Sequence, residues 1–109
     1  MKVLTLALTW VFIFLLCLNS YAGDAQDLIN AARKGDVSTV KTLLTKGADV
    51  NAKNANYGET ALISASHEDH LKIVQALLAK GADVNAKDNY GWSALIWASF
   101  YGHPDVVRA

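Results

Sequence analysis

The heptapeptide GADVNAK occurs twice in this chain without a single change, at Gly47–Lys53 and at Gly81–Lys87. The two copies start 34 residues apart. The residues after each copy also match, at a spacing of 33 residues, so that Tyr57-Gly58 corresponds to Tyr90-Gly91. A period of this length predicts a repeat protein, in which each unit packs only against its neighbours.

Each predicted unit contains two short helices. In the first unit, Val40, Leu43 and Leu44 recur at helical spacing, which predicts one apolar helix face. Gly47 follows the last turn, where a left-handed residue commonly ends a helix. Asp36 is placed to cap the start of this helix. In the later units, Thr60 and Ser93 are placed to cap the first helix, and Pro104 takes the first position of the last helix. The unit is therefore helix, tight turn, helix and hairpin-like loop.

Residues 1–22 have the composition of a secretory signal peptide. Lys2 supplies a positive start, Val3–Leu18 is apolar apart from two threonines, and small residues precede a predicted cleavage site after Ala22. An uncleaved membrane anchor is the alternative, but sixteen residues of helix span only about 24 Å, less than the hydrocarbon core of about 30 Å. Cys17 also suggests a lipid-attached cysteine, although the bulky leucine before it is unlike bacterial lipoprotein signals.

The charge balance and cysteine content exclude several classes of protein. The 109 residues carry ten Lys and Arg against ten Asp and Glu, so the basic excess of a nucleic-acid-binding surface is absent. Removal of residues 1–22 takes away Lys2 and leaves a net charge of −1. It also removes the single cysteine, so the mature chain is stabilised by its core alone and not by disulfides. The size corresponds to one small domain.

The sequence offers no catalytic motif. It contains no Gly-x-Ser-x-Gly, no glycine-rich phosphate loop and no cysteine nucleophile after the predicted cleavage. Asp49 and Asp83 recur in step with the repeat, so we expect them to hydrogen-bond the loop backbone. We predict that the chain is not an enzyme and that it has no catalytic residue and no cofactor.

The repeated residues resemble those of ankyrin-repeat proteins. The resemblance rests on Gly58-x-Thr60-Ala61-Leu62, Ala65-Ser66, His70, Leu77-Leu78 and Gly81–Asn85, with equivalents on both sides. It covers the chain from about Gln26 to its end and implies an all-α solenoid of helix-turn-helix units joined by hairpin-like loops. The expected units are 24–57, 58–90 and an incomplete 91–109. The Thr-Pro-Leu-His of the family reads Thr-Ala-Leu-Ile at Thr60 and Ser-Ala-Leu-Ile at Ser93.

The resemblance also implies a function, because ankyrin repeats bind partner proteins through their loop tips and the first helix of each unit. The residues of this chain expected to bind a partner are Tyr57, Glu59, His67, Tyr90, Trp92, Trp97, Phe100 and Tyr101. Five of them are aromatic residues within the twelve positions from Tyr90 to Tyr101, and Trp and Tyr dominate interface hot spots.

Structural roles are the alternative for the same aromatic residues. Tyr57 and Tyr90 recur in each unit, so we favour their stacking along successive loops. Trp97 is expected to pack against the next repeat. For Trp92, Phe100 and Tyr101, which are not repeated, partner binding and contact between repeats both stay open.

Two histidines raise the possibility of a metal site. His67 and His70 flank Glu68-Asp69, and such a pair with acids could ligate a metal. The resemblance, however, places histidine at the turn positions of His70 and His103, which leaves His67 as the one extra ligand. Two ligands do not close a zinc site, so no metal is expected.

The sequence stops at Ala109, inside what the repeat pattern predicts to be the last helix. No Leu-Leu pair follows Arg108, so we expect Leu77, Leu78, Val106 and Val107 to be incompletely covered. Two hypotheses follow. The chain is an exported scaffold, periplasmic or secreted, that binds a protein and touches a membrane only through an uncleaved signal segment. Alternatively, it is the targeting part of a longer secreted effector or toxin whose activity lies beyond residue 109.

Overall fold

The computed structural model of the protein describes residues 23–109, which form three consecutive helix pairs. The predicted signal peptide and Cys17 lie outside the described residues. The helices are α1 (described over 23–34), α2 (Val37–Thr45), α3 (Ala61–His67), α4 (Leu71–Ala79), α5 (Ala94–Phe100) and α6 (Pro104–Arg108). The predicted order of helix, turn, helix and loop is confirmed, and residues 23–109 contain no β-strand.

The predicted capping residues all begin their helices. The Asp36 carboxylate accepts a 3.2 Å hydrogen bond from the Thr39 backbone N–H. Thr60 and Ser93 do the same for the third residue of α3 and α5, through their hydroxyl oxygens. Each cap satisfies an N–H that has no partner inside the helix. Pro104 takes the first position of α6, as predicted.

The glycine of each GADVNAK copy ends a helix. Gly47 and Gly81 have φ of 86° and 84°, the left-handed conformation that an L side chain disfavours. After α2, Ala48 N–H donates to the Leu43 carbonyl at 3.1 Å, and the same bond recurs after α4. This pairing satisfies the last helix carbonyls and turns the chain into the loop.

The helices stack in two rows around one core. α3 packs against α5 in one row, α4 packs against α2 and α6 in the other, and α3 also packs against α4. The largest fully buried apolar side chains are Leu28, Ile29, Ile63, Ile73, Leu77, Val40 and Val74. Burial of one such side chain contributes about 1.5–3 kcal/mol relative to its exposure. The aliphatic core thus sets the spacing of the loops and of the first helices.

The expected gap in coverage is present at two of the four predicted residues. Leu77 is fully buried and Val106 is 6% exposed, so the prediction was wrong for both. The short α6 packs against α4, and this contact is enough to cover them. Leu78 is half-buried and Val107 is 40% exposed, which agrees with the prediction.

The uncovered apolar surface is the outer face of the third unit. Leu95 is 55% exposed and Ile96 is 42% exposed, whereas their second-unit equivalents Leu62 and Ile63 are buried. An open groove of about 190 Å³ lies on this face, with Leu78, Leu95 and Val107 among its lining residues. In the second unit, the next repeat covers the corresponding surface.

The membrane-anchor alternative concerns residues 1–22 alone. Within residues 23–109, every helix is too short or too polar to cross a membrane.

Candidate interaction surface

Asn54 and Asp88 occupy equivalent positions in successive units. Each shapes the loop that carries the predicted partner-binding residues before α3 or α5. Asn54 Oδ1 accepts hydrogen bonds from the backbone N–H groups of Tyr57 and Glu59, at 3.0 and 3.2 Å. Asp88 Oδ1 accepts from those of Tyr90 and Trp92, at 2.9 and 3.0 Å. Both residues are buried. Because each oxygen accepts hydrogen bonds from two loop N–H groups that would otherwise bind water, these side chains fix the hairpin-like shape of the loop.

Asp88 has a second role that Asn54 does not share. Its other oxygen, Oδ2, accepts a 2.7 Å hydrogen bond from the indole nitrogen of Trp97. The second unit has Ser64 at the position of Trp97, so this bond belongs to the third unit alone. A charge-assisted bond to a buried carboxylate is short and strong, and it fixes the orientation of the indole ring.

Trp97 is the centre of an aromatic cluster, which we define as Trp92, Trp97, Phe100 and Tyr101. The Trp92 ring lies 4.5 Å from that of Trp97 and 5.3 Å from that of Phe100, measured between centroids. Tyr101 stacks on Trp97 at 5.9 Å and meets Phe100 edge-on at 5.1 Å. Phe100 is 68% exposed and Tyr101 50% exposed. The structure therefore brings four of the predicted residues into one exposed patch.

His67 joins this cluster from the preceding unit. Its ring meets those of Trp97 and Tyr101 edge-on, each at 4.8 Å between centroids. Its Nδ1 lies 2.9 Å from Glu68 Oε1. The Trp97 ring therefore packs against the unit before it, and its expected contact with the next repeat stays a prediction.

Glu59 lies towards the first unit. Its Oε2 forms a 2.7 Å ion pair with Arg33 and accepts a 3.0 Å hydrogen bond from the Ser64 hydroxyl. These contacts link α1, the loop before α3 and α3 itself. No contact in the described residues tests the predicted role of Glu59 in partner binding.

The two repeated tyrosines do not stack on each other. Tyr57 is 50% exposed and Tyr90 69% exposed, and neither ring takes part in the aromatic contacts of residues 23–109. The predicted stacking was wrong because the loops are joined through the backbone, where Asn89 N–H donates to the Tyr57 carbonyl at 2.8 Å. Both rings stay available at the loop tips.

Sequence reasoning missed the bonds that tie successive units together. His70 Nε2 lies 3.1 Å from the Arg33 carbonyl, and His103 Nε2 lies 3.0 Å from the His67 carbonyl. Asn51 Oδ1 accepts a 2.7 Å hydrogen bond from the Asp83 backbone N–H. The recurrence of these side chains at the repeat period was the signal, but the sequence does not show the partner across the unit boundary.

The expected loop bonds of the repeated aspartates are confirmed. Asp49 Oδ1 accepts from the Asn51 N–H at 3.0 Å, and Asp83 Oδ1 accepts from the Asn85 N–H at 2.9 Å. The histidines considered for a metal face different partners, since His67 contacts Glu68 and His70 contacts the first unit. Residues 23–109 contain no group of three side chains able to hold a metal ion.

The arrangement is suited to binding. Throughout the described part of the chain, every buried side-chain nitrogen and oxygen has a hydrogen-bond partner, so no polar group stands unpartnered in a cleft. The hydrogen bonds from the Thr39 side chain and backbone lower the pKa of Asp36. That carboxylate caps a helix on the other row. Of the predicted binding residues, those of the aromatic cluster lie together at the surface.

Comparison with known proteins agrees with this architecture. A family model described as ankyrin repeats, in three copies, matches residues 28–109, which is more than half of the chain. The match begins at Leu28, the first buried residue of the described α1. A comparison with curated proteins found no match.

Proposed function

Because this chain belongs to the ankyrin-repeat family, whose repeats bind protein partners, we propose that it is a protein-interaction module acting outside the cytoplasm. The family is generally a non-enzymatic scaffold. The proposal assigns partner binding to the aromatic cluster, with His67 and the exposed loop tips Tyr57 and Tyr90 beside it.

The observation that carries the proposal is an exposed cluster held in a defined geometry. Phe100 and Tyr101 are at least half exposed, while Trp97 beneath them is fixed by the buried Asp88. Pre-oriented aromatic side chains lose little conformational entropy on binding, so more of their burial appears as affinity. Aromatic anchors of this kind dominate interface hot spots.

The proposed location rests on the predicted signal peptide of residues 1–22. We propose a periplasmic or secreted protein that begins, after cleavage, at Gly23. Cell fractionation followed by N-terminal sequencing tests this proposal. Recovery of the intact chain in the cytoplasmic fraction would contradict it.

The binding function is tested by capture of partners from an extra-cytoplasmic fraction. The full chain and its Trp92→Ala/Phe100→Ala variant are immobilised side by side, and retained proteins are identified by mass spectrometry. Leu95→Ala is the matched control, because Leu95 is an exposed apolar residue of α5 outside the cluster. We expect a partner retained by the wild type and the control but lost with the double variant. Equal retention by all three proteins would overturn the proposal.

The exposed outer face of the third unit favours a second candidate function. Leu95, Ile96 and Val107 are exposed there, whereas the second-unit residues in the same places are buried by a following unit. We propose, as this second candidate, that a further repeat covers the face and that the described repeats are the targeting part of a longer effector or toxin. Comparison of the thermal unfolding of this chain with that of the product of the continued reading frame tests it. Identical, concentration-independent transitions would contradict it.

A further inference from the structure

The surface around the aromatic cluster is acidic, and we propose that it binds a cationic segment of its partner, in which Arg or Lys flanks an apolar residue. Residues 54–71 and 88–107 contain all of α3 and α5 and the last part of the loop before each, and Lys53 and Lys87 lie just outside them. These two stretches contain no Lys or Arg. Their acidic residues are Glu59, Glu68, Asp69, Asp88 and Asp105. This inference rests on the proposed function and names the chemistry of the partner.

Two of these carboxylates border the cluster directly. Glu68 Oε1 lies 2.9 Å from Nδ1 of His67, whose ring contacts Tyr101. Asp69 Oδ2 lies 3.7 Å from Nδ1 of His103, whose ring stacks on Tyr101 from 6.3 Å away. The two side chains are 44% and 53% exposed. Tyr101 therefore lies between two acid–histidine pairs.

The carboxylates of Glu68 and Asp69 face histidines, and no Lys or Arg contacts them within the described residues. Two of the five acids pair with a cation, Glu59 with Arg33 towards the first unit and Asp105 with Arg108 at 3.5 Å. The cluster thus combines exposed aromatic faces with two bordering carboxylates, Glu68 and Asp69, that pair with no Lys or Arg in the described residues.

The ring geometry suits a cation as well. A guanidinium or ammonium group is attracted to the negative face of an aromatic ring, most strongly to Trp. The carboxylate of Asp88, 2.7 Å from the indole nitrogen of Trp97, adds negative charge at the edge of that ring system. The same carboxylates repel an acidic partner, so the surface discriminates by charge as well as by shape.

The test is selection from a random-peptide display library on the full chain. We expect the selected peptides to be enriched in Arg and Lys relative to the unselected library, with an apolar residue next to the cation. Phe100→Ala should weaken a selected peptide by about tenfold, the loss typical of a truncated aromatic anchor. Added salt should weaken it further, because the carboxylates are exposed.

Neutralisation of the two bordering acids isolates the charge contribution. Glu68→Gln/Asp69→Asn keeps the shape of both side chains, and Asn tolerates the left-handed backbone of Asp69, whose φ is 60°. We expect this variant to weaken the selected peptide several-fold. The control is Asp105→Asn on α6, which should leave the affinity unchanged because the Asp105 carboxylate is already paired with Arg108 at 3.5 Å and does not border the cluster. Enrichment of acidic or uncharged peptides, equal binding by the neutralised variant, or failure to select any peptide that depends on Phe100 would overturn the inference.

Different results contradict the inference and the proposed function. If a natural partner is captured through Trp92 and Phe100 but the library yields no cationic preference, only the charge assignment is wrong. If no captured partner depends on those residues, the proposed function itself is wrong.

Discussion

The indole nitrogen of Trp97 donates a 2.7 Å hydrogen bond to the buried carboxylate of Asp88. The same carboxylate holds two backbone N–H groups of the loop before α5. One side chain therefore shapes the loop and orients the central ring of the aromatic cluster.

Asp88→Asn separates these two roles. An amide can accept the loop N–H groups through its oxygen, as Asn54 does in the second unit, but its NH2 group cannot accept from the indole. We expect a loss of about 1–3 kcal/mol in the free energy of unfolding, because the bond to a charged acceptor is broken and the indole N–H is left unpaired. Urea unfolding followed by tryptophan fluorescence measures it.

A double-mutant cycle with Trp97→Phe supplies the control for Asp88→Asn. Once the indole N–H is absent, Asp88→Asn should cost clearly less than in the wild type. Equal costs in both backgrounds would show that the hydrogen bond does not carry the effect.

Thr60→Ala removes the cap of α3. The Thr60 hydroxyl is buried and accepts from the Ile63 N–H at 3.2 Å. We expect the free energy of unfolding to fall by about 1–2 kcal/mol. Circular dichroism during urea titration gives the value. Thr60→Ser is the matched control and should stay close to wild type, since Ser93 already fills this position in the third unit; an equal loss in both variants would contradict the capping role.

Gly35→Ala tests the close approach of His70 to the first unit. A Cβ atom on Gly35 would lie 2.6 Å from His70 Cε1, on a backbone with φ of 81°. Gly47→Ala is the matched control, because Gly47 has φ of 86° and no atom within 4 Å of such a Cβ. Both should lose about 1–2 kcal/mol of stability from the left-handed backbone, and Gly35→Ala should lose more.

The additional loss in Gly35→Ala is assigned to His70 by combining it with His70→Ala. In that background the two glycine substitutions should cost the same, as measured by urea unfolding. If the excess cost of Gly35→Ala persists without the imidazole, contact with His70 is not its cause.

The Asp36 cap makes stability depend on pH. Hydrogen bonds from the Thr39 side chain and backbone lower the pKa of this carboxyl below its ordinary 3.8. A lowered folded-state pKa means that the charged cap stabilises the fold above 3.8 and that this contribution is lost as the pH falls through the lower value. Asp36→Asn keeps a capping oxygen without the titration.

The measurement is the free energy of unfolding of the wild type and Asp36→Asn, followed from neutral pH into the acid range. We expect the difference between the two proteins to shrink as Asp36 becomes protonated. A difference that stays constant across this range would mean that the ionised form has no advantage as a cap.

Much of the fold was predictable because the residues that begin and end the helices recur with the repeat. Asp36, Thr60 and Ser93 cap their helices as predicted, and Gly47 ends α2. These are local effects, in which a side chain satisfies a backbone group a few residues away. The coverage of Leu77 was predicted wrongly, since it depends on how far α6 reaches across α4.

The residues of the candidate site were predictable from the sequence, but the contacts between them were not. The density of aromatic residues between Tyr90 and Tyr101 indicated an anchor patch. It did not show that Tyr90 stays apart while Trp97 turns towards His67. Contacts across a unit boundary join residues that are 26 to 37 positions apart, and sequence periodicity does not describe them.

By itself, the sequence determined the repeat, its helix boundaries and the ankyrin family, because periodicity and capping act over short stretches of chain. The tertiary structure alone decided which side chains meet between units: Trp97 with His67, His70 with the Arg33 carbonyl, and the acids that border Tyr101. The reason is physical. Local backbone bonding depends on neighbours in sequence, whereas a binding surface depends on the stacking of separate helices.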